Sequence, residues 1–149
     1  MMSSINTIEQ VHKFEKIVVD RLNKKGWDLK WTGGAYENYD AKGYTKKNKK
    51  CVIEIKFRKD YYYKKLLEKF KYDKLINLSN DILKIYLVID PKATYYFWLD
   101  NITLKEIKYI DCPKTTLWED ETEKKEVYLL GEDLASYIEK DFKFSKLID

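Results

Sequence analysis

Between Cys51 and Arg58 the chain reads Cys-Val-Ile-Glu-Ile-Lys-Phe-Arg, and this octet restricts the fold more than any other segment. Side chains alternate between the two faces of a strand. Cys51, Ile53, Ile55 and Phe57 then make one apolar face, and Val52, Glu54, Lys56 and Arg58 share the other. The octet must lie in a sheet that buries at least its apolar face, and it then holds a carboxylate and an ammonium group side by side on the opposite face.

The flanking patterns predict what surrounds this strand. A strand over roughly 36–45 and a Lys/Asn turn at 46–50 pair with it as a hairpin. A shorter strand, 27–31, precedes them and ends at Gly33 and Gly34. The first element is a helix over about 5–24, closed by Gly26. On a wheel of 100° per residue, Ile8, Val11, His12, Val18, Val19 and Leu22 all fall within about 60° of Glu15. Glu15 thus sits in the middle of an apolar stripe, where an unpaired carboxylate is costly. A long helix is predicted over 61–79, with Lys71 on the face of Leu67, Leu75 and Leu78 and with Glu68 beside it. Strands at 82–89 and 94–99 form a second hairpin around the turn at 90–93. The acidic stretch 119–126 reads as a solvated loop. A short strand at 127–130 and a helix over about 133–142 end the chain.

Composition narrows the chemistry. The length of 149 residues suits one domain, 1–149, and 36% charged with 44% hydrophobic residues is a globular mixture. No apolar run approaches the roughly 18 residues of a membrane helix, and the N-terminus lacks a signal-peptide pattern. Cys51 and Cys112 are far apart and no CxxC occurs, so a disulfide framework and a cysteine zinc site are not expected and a reducing cytoplasm fits. His12 is the only histidine, which removes most zinc-hydrolase and triad mechanisms. Metal chemistry here must use carboxylates, and that points to Mg²⁺ or Mn²⁺. The net charge of +4 is unevenly spread. Residues 41–75 carry thirteen Lys or Arg against four acids, and residues 111–149 carry six against eleven. A basic half of this kind predicts a polyanionic partner.

The triplet [DE]-x-K occurs seven times and is uninformative alone. Only Glu54-Ile55-Lys56 lies in a strand with a strongly apolar opposite face, with Asp40 fourteen residues earlier on the strand paired with it. Together with the inward Glu15 and the order of elements, this resembles the PD-(D/E)XK nuclease superfamily over about residues 5–100. The run Glu54–Arg58, with Tyr61-Tyr62 and Leu67-Glu68, looks like small phage-encoded members. Tyr39 stands where the motif has Pro, and Glu68 stands where some members have the Gln of a QxxxY pair completed here by Tyr72.

The resemblance implies an α/β, restriction-endonuclease-like αβββαβ core. Its mixed central sheet is flanked by helices and followed by an extra β-strand/helix tail. It further implies a nuclease in which Asp40, Glu54 and the carbonyl of Ile55 hold Mg²⁺ or Mn²⁺. Lys56 would orient water and stabilise the developing phosphorane charge, and Glu15 would assist. Lys46, Lys47, Lys49, Lys50, Arg58, Lys59 and Lys71 are the candidate phosphate contacts, with Lys64 and Lys65 adding to the positive surface. Glu68 and Tyr72 are accessory candidates. The expected substrate is nucleic acid, most naturally DNA, cut by an endonuclease or resolvase-like enzyme. Cutting two strands would favour a two-fold dimer. The competing reading is a binding module with a nuclease-like fold that grips nucleic acid or a protein without cleaving.

Overall fold

In a computed structural model, which describes residues 5–33 and 38–148, the chain forms a six-stranded mixed sheet, a three-stranded antiparallel sheet and two helices. Helix α1 spans Ile8–Lys24. Thr7 starts it with a capping box, its hydroxyl accepting from Gln10 N while the Gln10 side chain answers the Thr7 backbone. Strands β1 (Asp28–Trp31), β2 (Ala41–Tyr44) and β3 (Lys50–Phe57) follow as an antiparallel meander. Gly43 is required where β2 pairs with β1 opposite Leu29, because a Cβ there would lie 1.9 Å from the Asp28 carbonyl oxygen. The second predicted strand is shorter than expected. It runs over Ala41–Tyr44 and not from 36, and the expected portion at 36 and 37, like Gly34, lies outside the described residues.

After β3 the structure departs from the sequence reading. The predicted helix 61–79 is divided into strand β4 (Lys64–Glu68) and a short helix α2 (Lys69–Ile76). The run Lys-Lys-Leu-Leu-Glu has good helix propensity, but β4 pairs residue for residue with β8 (Thr122–Gly131), and tertiary pairing prevails. Strands β5 (Leu83–Ile89) and β6 (Thr94–Trp98) form the predicted second hairpin, and β5 lies parallel to β3. The tail adds β7 (Lys108–Pro113), β8 and the short β9 (Tyr137–Glu139). The predicted solvated loop at 119–126 is largely strand, since residues from Thr122 onward open β8. The predicted helix over 133–142 is replaced by a 3-10 turn, Glu132–Leu134, and by β9, which extends the central sheet beside β6.

The central sheet, in the order β1-β2-β3-β5-β6-β9, carries a core on each face. On one face α1 packs Phe14, Val18 and Leu22 against Ile53, Ile55 and Phe57, and Phe142, Phe144 and Leu147 close the layer. On the other, Leu67, Leu75, Tyr128 and Leu130 from β4, α2 and β8 cover Val52, Tyr86, Val88 and Phe97. The face of β3 that carries Glu54 is therefore buried too. A fully buried ion pair, Lys65 Nζ to Asp90 Oδ2 at 2.9 Å, fastens the small sheet to the β5–β6 turn. No helix among the described residues is long and apolar enough to cross a membrane.

Candidate metal and phosphate site

The site arises from a mismatch in strand length. Strand β2 pairs with β3 only as far as Ile53, opposite Ala41, while β3 continues to Phe57. Beyond Ile53 the edge of β3 that faced β2 is open. Asp40, the residue before β2, occupies this notch. Its N–H donates to Ile53 O (2.8 Å), and its carboxylate Oδ2 accepts the Ile55 N–H (2.8 Å) in place of a neighbouring strand. By the alternation of a β-ladder, the Ile55 carbonyl points to the same edge as those of Ile53 and Phe57. The Phe57 carbonyl accepts the indole N–H of Trp118 at 3.2 Å.

Four side chains converge on the notch and line a cleft of about 400 Å³: Glu15 from α1, Asp40, Glu54 from β3 and Lys71 from α2. Glu15, Asp40 and Glu54 are all less than a tenth exposed. Lys71 Nζ donates to Glu54 Oε2 at 2.8 Å, and the indole N–H of Trp31 donates to Glu15 Oε1 at 2.9 Å. Glu15 is thus buried as the helical wheel implied, with a partner that the wheel did not identify. His12, on the same stripe, is half-buried, its ring 5.0 Å from that of Trp31.

Asp40 and Glu15 are both perturbed, first by burial and also by neighbouring charge. Burial, followed by the charges of Glu54 and Glu15, holds the Asp40 carboxyl well above the ordinary range, despite the Ile55 N–H. Burial pushes Glu15 up to about 7; the Trp31 hydrogen bond opposes this and Glu54 adds to it. For Lys71, burial alone would favour the neutral amine, but Glu54, by charge and hydrogen bond, keeps the ammonium above its usual range.

Lys56 stands one step away. It lines a larger hollow of about 650 Å³ on the far side of Thr116, whose Oγ1 is 3.5 Å from its Nζ. Burial, then the nearby cations Arg58 and Lys71, lower Lys56 to about 7 against the pull of Glu68 and Glu54. Glu68 ends β4, outside the helix where the sequence put it, and pairs with Lys125 at 3.1 Å. Tyr72 lies on α2 and packs edge-on against Tyr128. The QxxxY-like pair therefore does not form on one helix face.

The predicted phosphate contacts separate into three groups. Lys71 is in the cleft. Lys46, Lys47, Lys49 and Lys50 are exposed on the β2–β3 turn, at the other end of the hairpin from Asp40. At about 3.3 Å per residue, Lys50 is roughly 13 Å from Glu54 along the strand. Arg58 turns inward and donates to Leu66 O at 2.7 Å, Lys65 is buried on Asp90, and Lys59 and Lys64 are exposed. Sequence reasoning missed Trp31, Thr116 and the exposed Phe70. Trp31 shares an inward strand face with Leu29, which was readable; Thr116 lies in an irregular stretch without a pattern.

Among the described residues, no three His, Cys, Asp or Glu side chains close into a metal cage. What the notch offers is two carboxylates and a backbone carbonyl at one strand edge, with a third carboxylate nearby. These are hard oxygen donors of the type that suits Mg²⁺ or Mn²⁺.

No family model matches the sequence, and no curated relative matches it. Among solved structures the chain is similar to Hjc, a Holliday junction resolvase from the archaeal hyperthermophile Archaeoglobus fulgidus. The TM-score is 0.55 and the identity 12%, over 91% of this chain and 96% of that one. At this identity the likeness is one of fold: the chain has a restriction-endonuclease-like α/β fold with a mixed central sheet. The similar protein is archaeal, and nothing supports a phage origin.

Proposed function

We propose that this protein is a member of the PD-(D/E)XK nucleases and hydrolyses phosphodiester bonds of DNA with the help of Mg²⁺ or Mn²⁺. The observation that carries this reading is the convergence of Asp40 and Glu54 at the open edge of β3, with Glu15 and Lys71 in the same cleft. Burial and neighbouring negative charge raise the proton affinity of Asp40 and Glu15, and the natural relief of such a site is a cation. Asp40, Glu54 and the Ile55 carbonyl would hold the metal, and a bound divalent ion would supply Lewis-acid activation of phosphate and water.

The chain's own residues would do the remaining work. Asp40 fixes the end of β3 through the Ile55 N–H and so orients the Ile55 carbonyl. Lys71, already charged and next to Glu54, is placed to hold a phosphate oxygen. Lys56 can hold or release a proton at Nζ near neutral pH, with Thr116 as its present neighbour. Trp31 keeps Glu15 turned into the cleft.

The Lys71–Glu54 pair also favours a second reading, because it balances a buried carboxylate without any metal, as a non-cleaving DNA- or protein-binding module would need. One experiment separates the two. Plasmid, linear, single-stranded and four-way-junction DNA, together with RNA, are incubated with the protein in Mg²⁺, Mn²⁺, Ca²⁺ or EDTA. The junction arm is included because the protein of similar fold is a junction resolvase. Cleavage in Mg²⁺ or Mn²⁺ that disappears in EDTA and in Asp40→Ala and Glu54→Ala supports the nuclease. Retained binding with no cleavage under any condition supports the module. A homodimer would be the natural form of an enzyme that cuts two strands, and the same samples can be sized in solution.

A further inference from the structure

Phe70, the second residue of α2, is 64% exposed, although a side chain of this size gains from burial. Single exposed apolar residues are ordinary, and its exposure alone implies nothing. Its position is more informative. The ring lines the cleft that holds Glu15, Asp40 and Glu54, and also the adjoining hollow of about 610 Å³ that contains Lys114 and Lys125, so it forms the ridge between them. Its sequence neighbour Lys71 reaches Glu54, and Lys74 Nζ lies 3.9 Å from the ring centroid. A ring with a cation over it, next to a second cation in the cleft, matches a ligand that carries both a flat π-surface and a negative group at short spacing. A nucleotide is such a ligand.

Building on the nuclease reading, we propose that Phe70 is a base-stacking subsite, on which an unpaired nucleobase beside the bond to be cut lies flat while its phosphate meets Lys71 and Lys74. A base within a regular duplex is already stacked on its neighbours and cannot lie on the ring. The subsite therefore selects substrates in which the nucleotide at this position has left the helix.

The test uses full-length protein and single-stranded DNA with a fluorescent adenine analogue at successive positions, in Ca²⁺ so that binding is read without cleavage. Stacking on Phe70 quenches the analogue at one or two positions. Phe70→Ala abolishes that quenching and weakens single-strand binding about tenfold to a hundredfold, while duplex binding and the melting temperature stay near those of the wild type. Phe70→Trp restores the quenching and Phe70→Leu does not, which separates a stacking ring from a merely apolar contact. The proposal is overturned if the wild-type protein quenches at no position, if Phe70→Ala quenches as the wild type does, or if Phe70→Leu restores the signal. Quenching that depends on Phe70 without cleavage in Mg²⁺ would remove the nuclease reading and leave the subsite standing. Cleavage without such quenching would do the reverse.

Discussion

Glu15 and Lys71 make opposite predictions for the same cleft. The Glu15 carboxyl is raised from 4.5 to about 7, mainly by burial, so the folded state binds its proton more tightly than the unfolded chain does. The stability that this group contributes is full below about pH 4.5 and is lost as the pH rises through 7, a change of about 3 kcal/mol. In EDTA, Glu15→Gln is expected to remove that decline and to melt several degrees above the wild type at pH 8, with the two curves converging near pH 5. Thermal unfolding at a series of pH values checks this, and parallel curves would mean that Glu15 is not strained by its surroundings. Lys71 is the cation that Glu54 holds in the structure. Lys71→Met leaves Glu54 without it and should cost about 1–2 kcal/mol in EDTA, the partial exposure of Lys71 keeping the cost low. The same variant should gain more thermal stability from Mg²⁺ than the wild type, because the metal no longer competes with an ammonium group. An equal gain in both proteins would place the metal away from Glu54.

The elements show which parts of the sequence could be read. Helix α1, the β2–β3 hairpin and the β5–β6 hairpin depend on local periodicity and turn residues, and they lie close to where the pattern put them. The inward placement of Glu54 and Glu15 was legible for the same reason, since a period of two or 3.6 fixes which way a side chain points; Asp40 was singled out by its position on the hairpin and by the resemblance, and it lies just before β2. Strand β4 was not legible, because its five residues are good helix formers and become a strand only through β8, some sixty positions later. Lys65 shows the difficulty clearly: a lysine in a basic run looks solvated, yet its side chain is only 2% exposed and is held by Asp90. Asp90 also accepts from Lys92 N, Ala93 N and the Tyr95 hydroxyl. Asp90→Ala should therefore destabilise by about 3–5 kcal/mol, because it leaves a buried ammonium to the Tyr62 carbonyl and the more distant Glu132 carboxylate at 3.8 Å. Lys65→Met should cost clearly less, since Asp90 keeps three donors. Denaturant unfolding of the two variants gives the order, and the reverse order would show that the lysine, not the aspartate, organises this joint.

For the whole molecule, the uneven charge of the sequence becomes a geometric statement. The four lysines of the β2–β3 turn sit roughly 13 Å or more from Glu54, so they would meet nucleic acid beside the cut and not at it. Neutralising Lys46, Lys47, Lys49 and Lys50 together should weaken DNA binding and make its logarithmic salt dependence shallower by about one for each phosphate that the protein no longer neutralises. The cleavage rate at saturating DNA should be nearly unchanged. An unaltered salt slope would put the backbone-binding surface on another face. The arrangement of strands also has a temporal side. The first hundred or so residues end before β8 and β9 exist, yet β4 pairs with β8, β6 with β9, and Phe144 N with the Asp90 carbonyl. Pairings this distant in sequence are slow to form, because a long loop must close before any of them is made. On the ribosome, the first hundred residues can arrange their hairpins and helix α1 early, but β4 has no partner and Lys65 has not yet been sealed in. The nascent chain would carry an unfinished sheet edge until β8 and β9 emerge, and that interval is when it is most exposed to misassociation.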